Sequence, residues 1–260
     1  MLHTTSADGT SLAYDRIGSG PALVLIGGGP TTRAANAELA QLLATSCTVY
    51  NYDRRGHGDS DDTQSFTVDQ EFQDVQAMLD VAGGQAAVFG SSGGAVIALQ
   101  AAIRGLAITR LALWEPAYVV EGTRRPVPGD YAARLAELIA SGRRSEAGEM
   151  FFADAVGVPQ QFIDEMLASP FWPTIEAVAH TLVYDAQLMG DFAVPVQQLR
   201  ALQIPTLVVD GATTPWLSTS ADAVAAAIGR ATRETLAGQQ HNVQATALAP
   251  TIAAFLVGGA

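Results

Sequence analysis

Short apolar runs alternate along the chain with longer segments in which apolar residues recur at helical spacing. The run at residues 22–26, Ala-Leu-Val-Leu-Ile, is apolar throughout, which is typical of a strand buried on both faces. The predicted strands are residues 12–17, 22–26, 48–52, 85–89, 111–114, 205–209 and 233–236, and the predicted helices between them are 32–44, 66–81, 95–103, 221–228 and 246–256. Such alternation implies right-handed crossovers and a mostly parallel sheet, so we predict an α/β fold.

The alternation stops at residue 117 and resumes only after residue 202. Four helical stretches are predicted in between, at residues 131–141, 145–156, 160–168 and 173–189, without a strand-like run among them. A segment of about 85 residues is too long for a loop. We predict that residues 117–202, here called the insertion, form a helical subdomain, and that residues 1–116 and 203–260 form the core domain.

The sharpest chemical signal is Gly-Ser-Ser-Gly-Gly at residues 90–94, directly after a predicted strand and directly before a predicted helix. It fits the pattern G-x-S-x-G when centred on Ser92, whereas centring it on Ser91 would require a glycine in place of Phe89. Flanking glycines allow a strand-to-helix turn so tight that the central serine is strained and its hydroxyl projects above the sheet. Ser92 is therefore predicted to be a nucleophile.

A serine hydroxyl is a weak nucleophile and needs a general base. The chain has four histidines: His3 lies near the terminus, His57 in a polar loop and His180 inside a predicted helix of the insertion. His241 lies in the loop between the last predicted strand and the last predicted helix. Its chain position and loop setting make it the candidate base.

With these residues in view, the chain resembles the α/β-hydrolase-fold superfamily, in the serine hydrolase branch with a helical cap. Gly-Gly-Gly-Pro at residues 27–30 lies where that family has its oxyanion loop, usually His-Gly-x-Pro, and Asp-Arg-Arg-Gly-His-Gly-Asp-Ser at residues 53–60 matches the family's D-x-R-G-x-G-x-S segment. The resemblance implies that the Gly93 amide, with that of Gly28 or Gly29, forms the oxyanion hole. Gly27 departs from the pattern because the family's usual histidine is missing there.

The residues leave three alternatives for the acid of the expected triad. Most relatives carry it in a G-x-x-D pattern after the strand that here ends at Asp210, but Thr214 occupies the expected place, and threonine cannot carry the charge that stabilises an imidazolium. Asp210 itself is one substitute. Glu115 is the preferred one, because it follows the strand at 111–114, where branches such as the haloalkane dehalogenases place their acid. The third alternative is a Ser92–His241 dyad.

Aromatic residues near the predicted cleft are candidates for substrate binding. The insertion carries several of them, of which Phe171 and Trp172 are predicted to face the core domain. Trp114 and Trp216 flank the two candidate acids and are predicted to wall the same cleft. Residues at helical spacing can equally belong to the interior of the insertion, so the sequence leaves both roles open.

Composition excludes several classes of function. The chain has 14 Lys and Arg against 26 Asp and Glu, a net charge of −12, and no basic stripe, so nucleic acid is not an expected partner. The single cysteine, Cys47, offers no disulfide framework, no signal peptide is visible and no apolar stretch could span a bilayer, so a cytoplasmic protein without membrane association is expected. The expected partner is a small-molecule substrate, with a homodimer left open, and neither a cofactor nor a metal is expected.

The resemblance then implies a cofactor-independent carboxylic ester hydrolase that acts on a small, largely apolar ester, lactone or related carbonyl compound through an acyl-enzyme. Two alternatives remain at this stage. One is a non-hydrolytic enzyme of the same fold, such as a lyase, cyclase or dehydratase acting on a metabolite. The other is a non-catalytic ligand-binding protein.

Overall fold

A computed structural model describes residues 1–63 and 65–258, so the last two residues of the predicted core segment 203–260 lie outside the described residues. Its centre is an eight-stranded sheet in the order β1-β2-β4-β3-β5-β6-β7-β8. The strands are β1 (Leu2–Thr5), β2 (Ser11–Gly18), β3 (Ala22–Ile26), β4 (Thr48–Tyr52), β5 (Ala86–Ser91), β6 (Ile108–Trp114), β7 (Thr206–Asp210) and β8 (Ala231–Thr235). β2 pairs antiparallel with β1 and β4, and the other neighbours are parallel. The predicted fold class is confirmed.

Helices cover the sheet and fill the insertion. They are α1 (Ala37–Leu43), α2 (Val68–Val81), α3 (Gly93–Ile103), α4 (Tyr131–Ala140), α5 (Arg144–Met150), α6 (Gln160–Leu167), α7 (Trp172–Val178), α8 (Leu182–Met189), α9 (Val196–Arg200), α10 (Pro215–Ala227) and α11 (Ala245–Val257). A π-helical segment, Phe151–Val156, continues α5, and short 3-10 turns precede α1 and α8. Within the described ranges, no helix is both long and apolar enough to cross a membrane.

The buried core lies on both faces of the sheet. Alternate residues of β3 divide between the two sides: Leu23 and Leu25 pack with α1 and α11, whereas Val24 and Ile26 pack with α2 and α3. All four side chains are fully buried. This double burial explains why the strand is apolar at every position, as a parallel strand between two helical layers must be.

The insertion packs on the second of these layers. Buried residues of its helices, such as Leu135 and Leu182, belong to the same apolar cluster as Val96 of α3. The insertion therefore shares its core with the sheet domain, above the carboxyl ends of the parallel strands. Whether residues 117–202 form a subdomain of their own stays a prediction.

Some element bounds differ from those predicted. β1 and α9 were not predicted, since four or five residues are too few for a periodic signal. The predicted helix at 173–189 is divided into α7, a 3-10 turn and α8. α10 begins at Pro215 rather than at residue 221, because the fixed φ of proline suits the first turn of a helix and its missing N–H is not needed there.

Candidate active site

The turn between β5 and α3 is as tight as its glycines suggest. Ser92 links strand and helix with φ 55° and ψ −119°, a conformation that a non-glycine residue adopts only where the surroundings enforce it. A Cβ on Gly90 would lie 2.3 Å from the carbonyl oxygen of Gly94, and one on Gly94 would lie 2.3 Å from that of Ile26. Only glycine fits at either position, so the motif is required by packing as well as by backbone conformation.

The two serines of the motif have different surroundings. Ser91 is the last residue of β5, in register with Trp114 of β6. The Ser92 amide donates to the Trp114 carbonyl at 2.9 Å, while its side chain lines a cavity above the sheet. Among the described residues, the Ser92 hydroxyl makes no capping hydrogen bond to α3. The structure therefore presents Ser92, and not Ser91, to the cavity.

His241 lies in the loop between β8 and α11 and contacts a carboxylate. Its Nδ1 is 2.6 Å from Oε2 of Glu115, whose side chain is fully buried, whereas 38% of the imidazole is exposed. The other Glu115 oxygen accepts from the Gly211 amide at 3.1 Å. Trp114 Nε1 donates to the His241 carbonyl oxygen at 2.9 Å, which fixes the loop from below. This arrangement can orient an imidazole and stabilise its protonated form.

The backbone conformation of Glu115 turns its side chain toward His241. It follows β6 with φ 43°, again in the left-handed region, and its amide donates to the Val209 carbonyl of β7 at 2.9 Å. The residue therefore continues the sheet for one more hydrogen bond and then turns. Its buried carboxylate has both oxygens in use, one on His241 and one on Gly211.

Asp210, the second candidate acid, is engaged elsewhere. Its carboxylate accepts hydrogen bonds from Ser218, from Thr235 at 2.7 Å and from the Ala212 amide at 3.1 Å, and it forms an ion pair with Arg233 at 2.9 Å. Burial opposes ionisation, but these partners outweigh it and lower the pKa of Asp210 to about 2. The structure thus brings Glu115, rather than Asp210, to His241, and Asp210 organises the turn after β7.

Two backbone amides flank Ser92 at the cavity. Gly93 is the first residue of α3, so its N–H is among those that a helix leaves without an intrahelical partner. A Cβ on Gly93 would lie 3.6 Å from the Gly29 nitrogen, and both glycines line the cavity. Such a pair of amides beside a serine has the composition of an oxyanion hole.

Gly28 has a different position from Gly29. It is not among the residues that line the cavity, and a Cβ there would come within 2.3 Å of the Ser91 carbonyl oxygen. Its own carbonyl accepts from the Thr31 hydroxyl at 2.8 Å. Of the two amides predicted as alternatives, the geometry favours Gly29, while Gly28 allows the loop to pack against the Ser92 turn.

The cavity above Ser92 has a mainly apolar wall. Its lining residues are Gly29, Ser92, Gly93, Ala117, Phe151, Ala155, Val156, Asp185, Leu188, Met189, Phe192, Trp216 and His241. Ser92 and His241 therefore face one space, although no direct hydrogen bond joins them within the part of the chain that is described. Catalytic hydrogen bonds are often long in unliganded enzymes and tighten when substrate binds.

The predicted pocket aromatics need correction. Trp216 lines the cavity, but Trp114 is fully buried on the opposite face of the sheet, where it supports the His241 loop. Phe171 is 58% exposed on the outer surface. Trp172 is buried within the insertion, with its Nε1 donating to the Ser145 hydroxyl at 2.7 Å. Helical spacing could not reveal which side of each helix faces Ser92.

Comparisons with known proteins agree with this fold. The structure of an alpha/beta hydrolase from Sphaerobacter thermophilus DSM 20745 matches with a TM-score of 0.95 and 47% sequence identity, covering 98% of this chain and 100% of that chain. The enol-lactonase from Burkholderia xenovorans LB400 shares the fold, with a TM-score of 0.74 and 23% identity over 99% of this chain and 100% of that chain.

The uncharacterized hydrolase YraK of Bacillus subtilis (strain 168) is 36% identical over 105 residues, so the match spans 39% of this chain and 39% of that protein. The match to the alpha/beta hydrolase family is longer, because it extends over residues 23–254. That range contains every residue of the site described above. The chain belongs to the alpha/beta hydrolase family.

Proposed function

We propose that this protein is a serine-dependent hydrolase that cleaves a small, largely apolar ester or lactone through an acyl-enzyme. The observation that carries the proposal is the 2.6 Å contact between Glu115 and the His241 imidazole, which faces the same cavity as Ser92. The Glu115 carboxylate supplies the negative charge that Thr214, in the family's more usual acid position, cannot supply.

In the first half-reaction, the Ser92 hydroxyl attacks the carbonyl carbon and transfers its proton to Nε2 of His241. The imidazolium is stabilised by the Glu115 carboxylate, which contacts Nδ1. The carbonyl oxygen becomes an oxyanion and accepts hydrogen bonds from the amides of Gly29 and Gly93. Collapse of the tetrahedral intermediate breaks the bond to the leaving alcohol, which takes the proton from His241, and leaves the acyl group on Ser92.

In the second half-reaction, His241 removes a proton from a water molecule, which attacks the acyl carbon. The new tetrahedral intermediate uses the same two amides. When it collapses, the bond to the Ser92 oxygen breaks and that oxygen regains the proton from His241. The acid is released and the site returns to its starting state, without any cofactor in the cycle.

The cavity wall supports the substrate class. Phe151, Leu188, Met189, Phe192 and Trp216 present hydrocarbon and aromatic surface to the space above Ser92. Burial of apolar substrate surface there is favourable at roughly 25 cal/mol per Å². The wall is formed jointly by the core domain and the insertion, so the space suits a compact ester rather than a polymer.

The non-hydrolytic and non-catalytic alternatives depended on the loss of the usual acid at Thr214. Glu115 removes that support, because it is buried, hydrogen-bonded and in contact with His241. We therefore retain hydrolysis as the single proposed function.

A fluorophosphonate probe tests the proposal directly, since it labels activated serines and reacts poorly with ordinary ones. We expect stoichiometric labelling of the wild-type protein and of Ser91→Ala, and none of Ser92→Ala, as read by intact-protein mass. Hydrolysis of p-nitrophenyl butyrate should fall by several orders of magnitude in Ser92→Ala and remain near the parental rate in Ser91→Ala. Comparable rates for Ser92→Ala and the parent would eliminate the acyl-enzyme mechanism.

A further inference from the structure

One carboxylate interrupts the apolar wall of the cavity. Asp185 lies on α8, in the insertion, and is 8% exposed, yet it lines the same space as Ser92 and His241. Nothing in the acyl-transfer chemistry above uses it. A carboxylate in such a wall is costly unless it has hydrogen-bonding partners, so its presence calls for a physical reason.

The Asp185 carboxylate is only partly satisfied by the protein. Oδ1 accepts from Nη2 of Arg54 at 2.7 Å, whereas Oδ2 is buried and has no hydrogen-bond partner among the described residues. An ionised carboxylate can accept about four hydrogen bonds over its two oxygens. Arg54 therefore leaves acceptor capacity on this carboxylate unused. Because Oδ2 is itself buried, a ligand in the cavity reaches that capacity through rotation about the soft terminal torsion of aspartate.

Arg54 does not neutralise Asp185 completely, because it is shared. Its guanidinium also holds Glu71 through two hydrogen bonds, of 2.7 and 3.0 Å, and the buried group of Arg54, Glu71 and Asp185, here called the Arg54 cluster, carries one positive and two negative charges. Burial, with the charge of Arg54, lowers the pKa of the neighbouring His57, which adds no positive charge at neutral pH. One guanidinium thus serves two carboxylates.

Within the Arg54 cluster, only the Asp185 end reaches the cavity. Glu71 is fully buried on α2 and is not among the lining residues. A ligand in the cavity consequently contacts a carboxylate that has unused hydrogen-bond acceptor capacity and is surrounded by apolar side chains. It would gain from an O–H or N–H placed there, and an ether oxygen or a second carboxylate at the same point would be disfavoured.

We propose that Asp185 is a specificity-determining residue whose carboxylate accepts a hydrogen bond from a donor group on the substrate, away from the scissile carbonyl. This inference rests on the proposed function and narrows its substrate class. The preferred substrates are esters or lactones with an apolar body that carries a hydroxyl or a protonated nitrogen. Plain alkyl esters are accepted less well, because they leave Asp185 without a partner.

The test uses p-nitrophenyl esters in three matched series: ω-hydroxyalkanoates, ω-methoxyalkanoates and unsubstituted alkanoates, over acyl chains of about six to ten carbons, which do not readily cyclise to lactones. The methoxy group keeps the oxygen but has no proton to donate. At one or more chain lengths, the wild-type kcat/KM for the hydroxy ester should exceed that for the methoxy ester by about ten- to a hundredfold. A ratio near one at every length would overturn the proposal.

Variants separate recognition from folding. Asp185→Leu keeps the branched shape and leaves Arg54 paired with Glu71, so the hydroxy-to-methoxy ratio should fall to about one. The matched control is Asp74→Asn, which changes another fully buried, arginine-paired carboxylate that does not line the cavity and should retain the wild-type ratio. Retention of the ratio in folded Asp185→Leu would refute the assignment.

If Asp185→Leu does not fold, Asp185→Asn provides the test. Its carboxamide oxygen accepts from Arg54, so its N–H₂ can donate to the hydroxyl oxygen and to the methoxy oxygen of the two esters alike. The ratio should then fall toward one, and an unchanged ratio would contradict the proposal.

Binding distinguishes failure of this inference from failure of the proposed function. The Kd values of the methyl esters of the same acids can be measured with Ser92→Ala by the fluorescence of Trp216, which lines the cavity. Tighter binding of the hydroxy ester that depends on Asp185, without hydrolysis by the wild-type protein, would support the inference and remove the function. Hydrolysis without a preference for the hydroxy ester would support the proposed function and overturn the inference about Asp185. Absence of both binding and hydrolysis would overturn the proposed function and the inference together.

Discussion

Glu115→Gln is the substitution that most directly examines the proposed mechanism. Glutamine matches the shape of glutamate. In the wild-type protein the Gly211 amide donates to Oε1 of Glu115 at 3.1 Å, and the carboxamide oxygen of glutamine can still accept that hydrogen bond. The new N–H₂ then faces Nδ1 of His241 in place of the oxygen 2.6 Å away. It can only donate, and the imidazole must therefore carry its proton on Nε2.

An imidazole in that tautomer cannot accept the proton of Ser92, and an imidazolium formed there would have lost its counter-charge. Neutralising the acid of a triad lowers kcat by roughly 10²–10⁴, which corresponds to about 3–5 kcal/mol of activation free energy. We expect a loss in this range for p-nitrophenyl butyrate. KM should change far less, because Glu115 does not line the cavity.

The matched control is Asp210→Asn, the same chemical change on the neighbouring strand, which should leave kcat within a few-fold. Melting temperatures must be measured for both variants, because Glu115 is fully buried and precedes the insertion. A Glu115→Gln protein with parental melting temperature and parental kcat would refute the reasoning. A large loss in Asp210→Asn alone would transfer the role of the acid to that residue.

Two further predictions concern the packing around the site. Gly28→Ala would place a Cβ 2.3 Å from the Ser91 carbonyl oxygen and 3.0 Å from the Gly93 nitrogen, so kcat should fall at least about a hundredfold, while Gly129→Ala, with open space around it, should be neutral in both rate and melting temperature. Asp210→Asn should lower the free energy of unfolding at pH 7 by roughly 2 kcal/mol, because the pKa of the folded carboxyl is about 2. Since this pKa is depressed, the contribution is complete above about pH 5 and is lost as the pH falls through about 2, so the free energies of unfolding of the two proteins, from urea titrations, should converge only near pH 2 and below.

Much of the site could be predicted because it depends on local constraints. Ser92 needs a strand, a helix and small residues between them, and all three are visible in the sequence. His241 follows from its loop and its place near the end of the chain. Residues 22–26 coincide with β3, because a strand buried on both faces has a continuous apolar pattern. Residues 48–52 coincide with β4, where Val49, Tyr50 and Tyr52 are residue types that favour strands.

The pocket could not be predicted in the same way. Phe151 reaches the cavity from a π-helical segment, whose extra residue per turn shifts the side chains from the positions that a regular helix would give. Phe171 and Trp172 are adjacent in sequence, yet one is exposed and the other is buried within the insertion. Asp185 was missed altogether, since its partner Arg54 is 131 residues away and no local pattern links them.

The choice between Glu115 and Asp210 shows why the acid was the hardest residue to assign. Asp210 ends β7 and Glu115 directly follows the neighbouring parallel strand β6, so both lie at the same edge of the sheet and the pattern of strands and loops does not separate them. What separates them is the backbone at Glu115, with φ 43°, and the approach of the His241 loop to β7. A Cβ on Gly211 would lie 1.8 Å from the Gln239 carbonyl oxygen, so only glycine lets that loop come so close. The amide of the same glycine donates a hydrogen bond to Glu115. Gly211, directly after β7, therefore supplies a hydrogen bond to the acid that follows β6, and the acid itself does not come from the segment after β7.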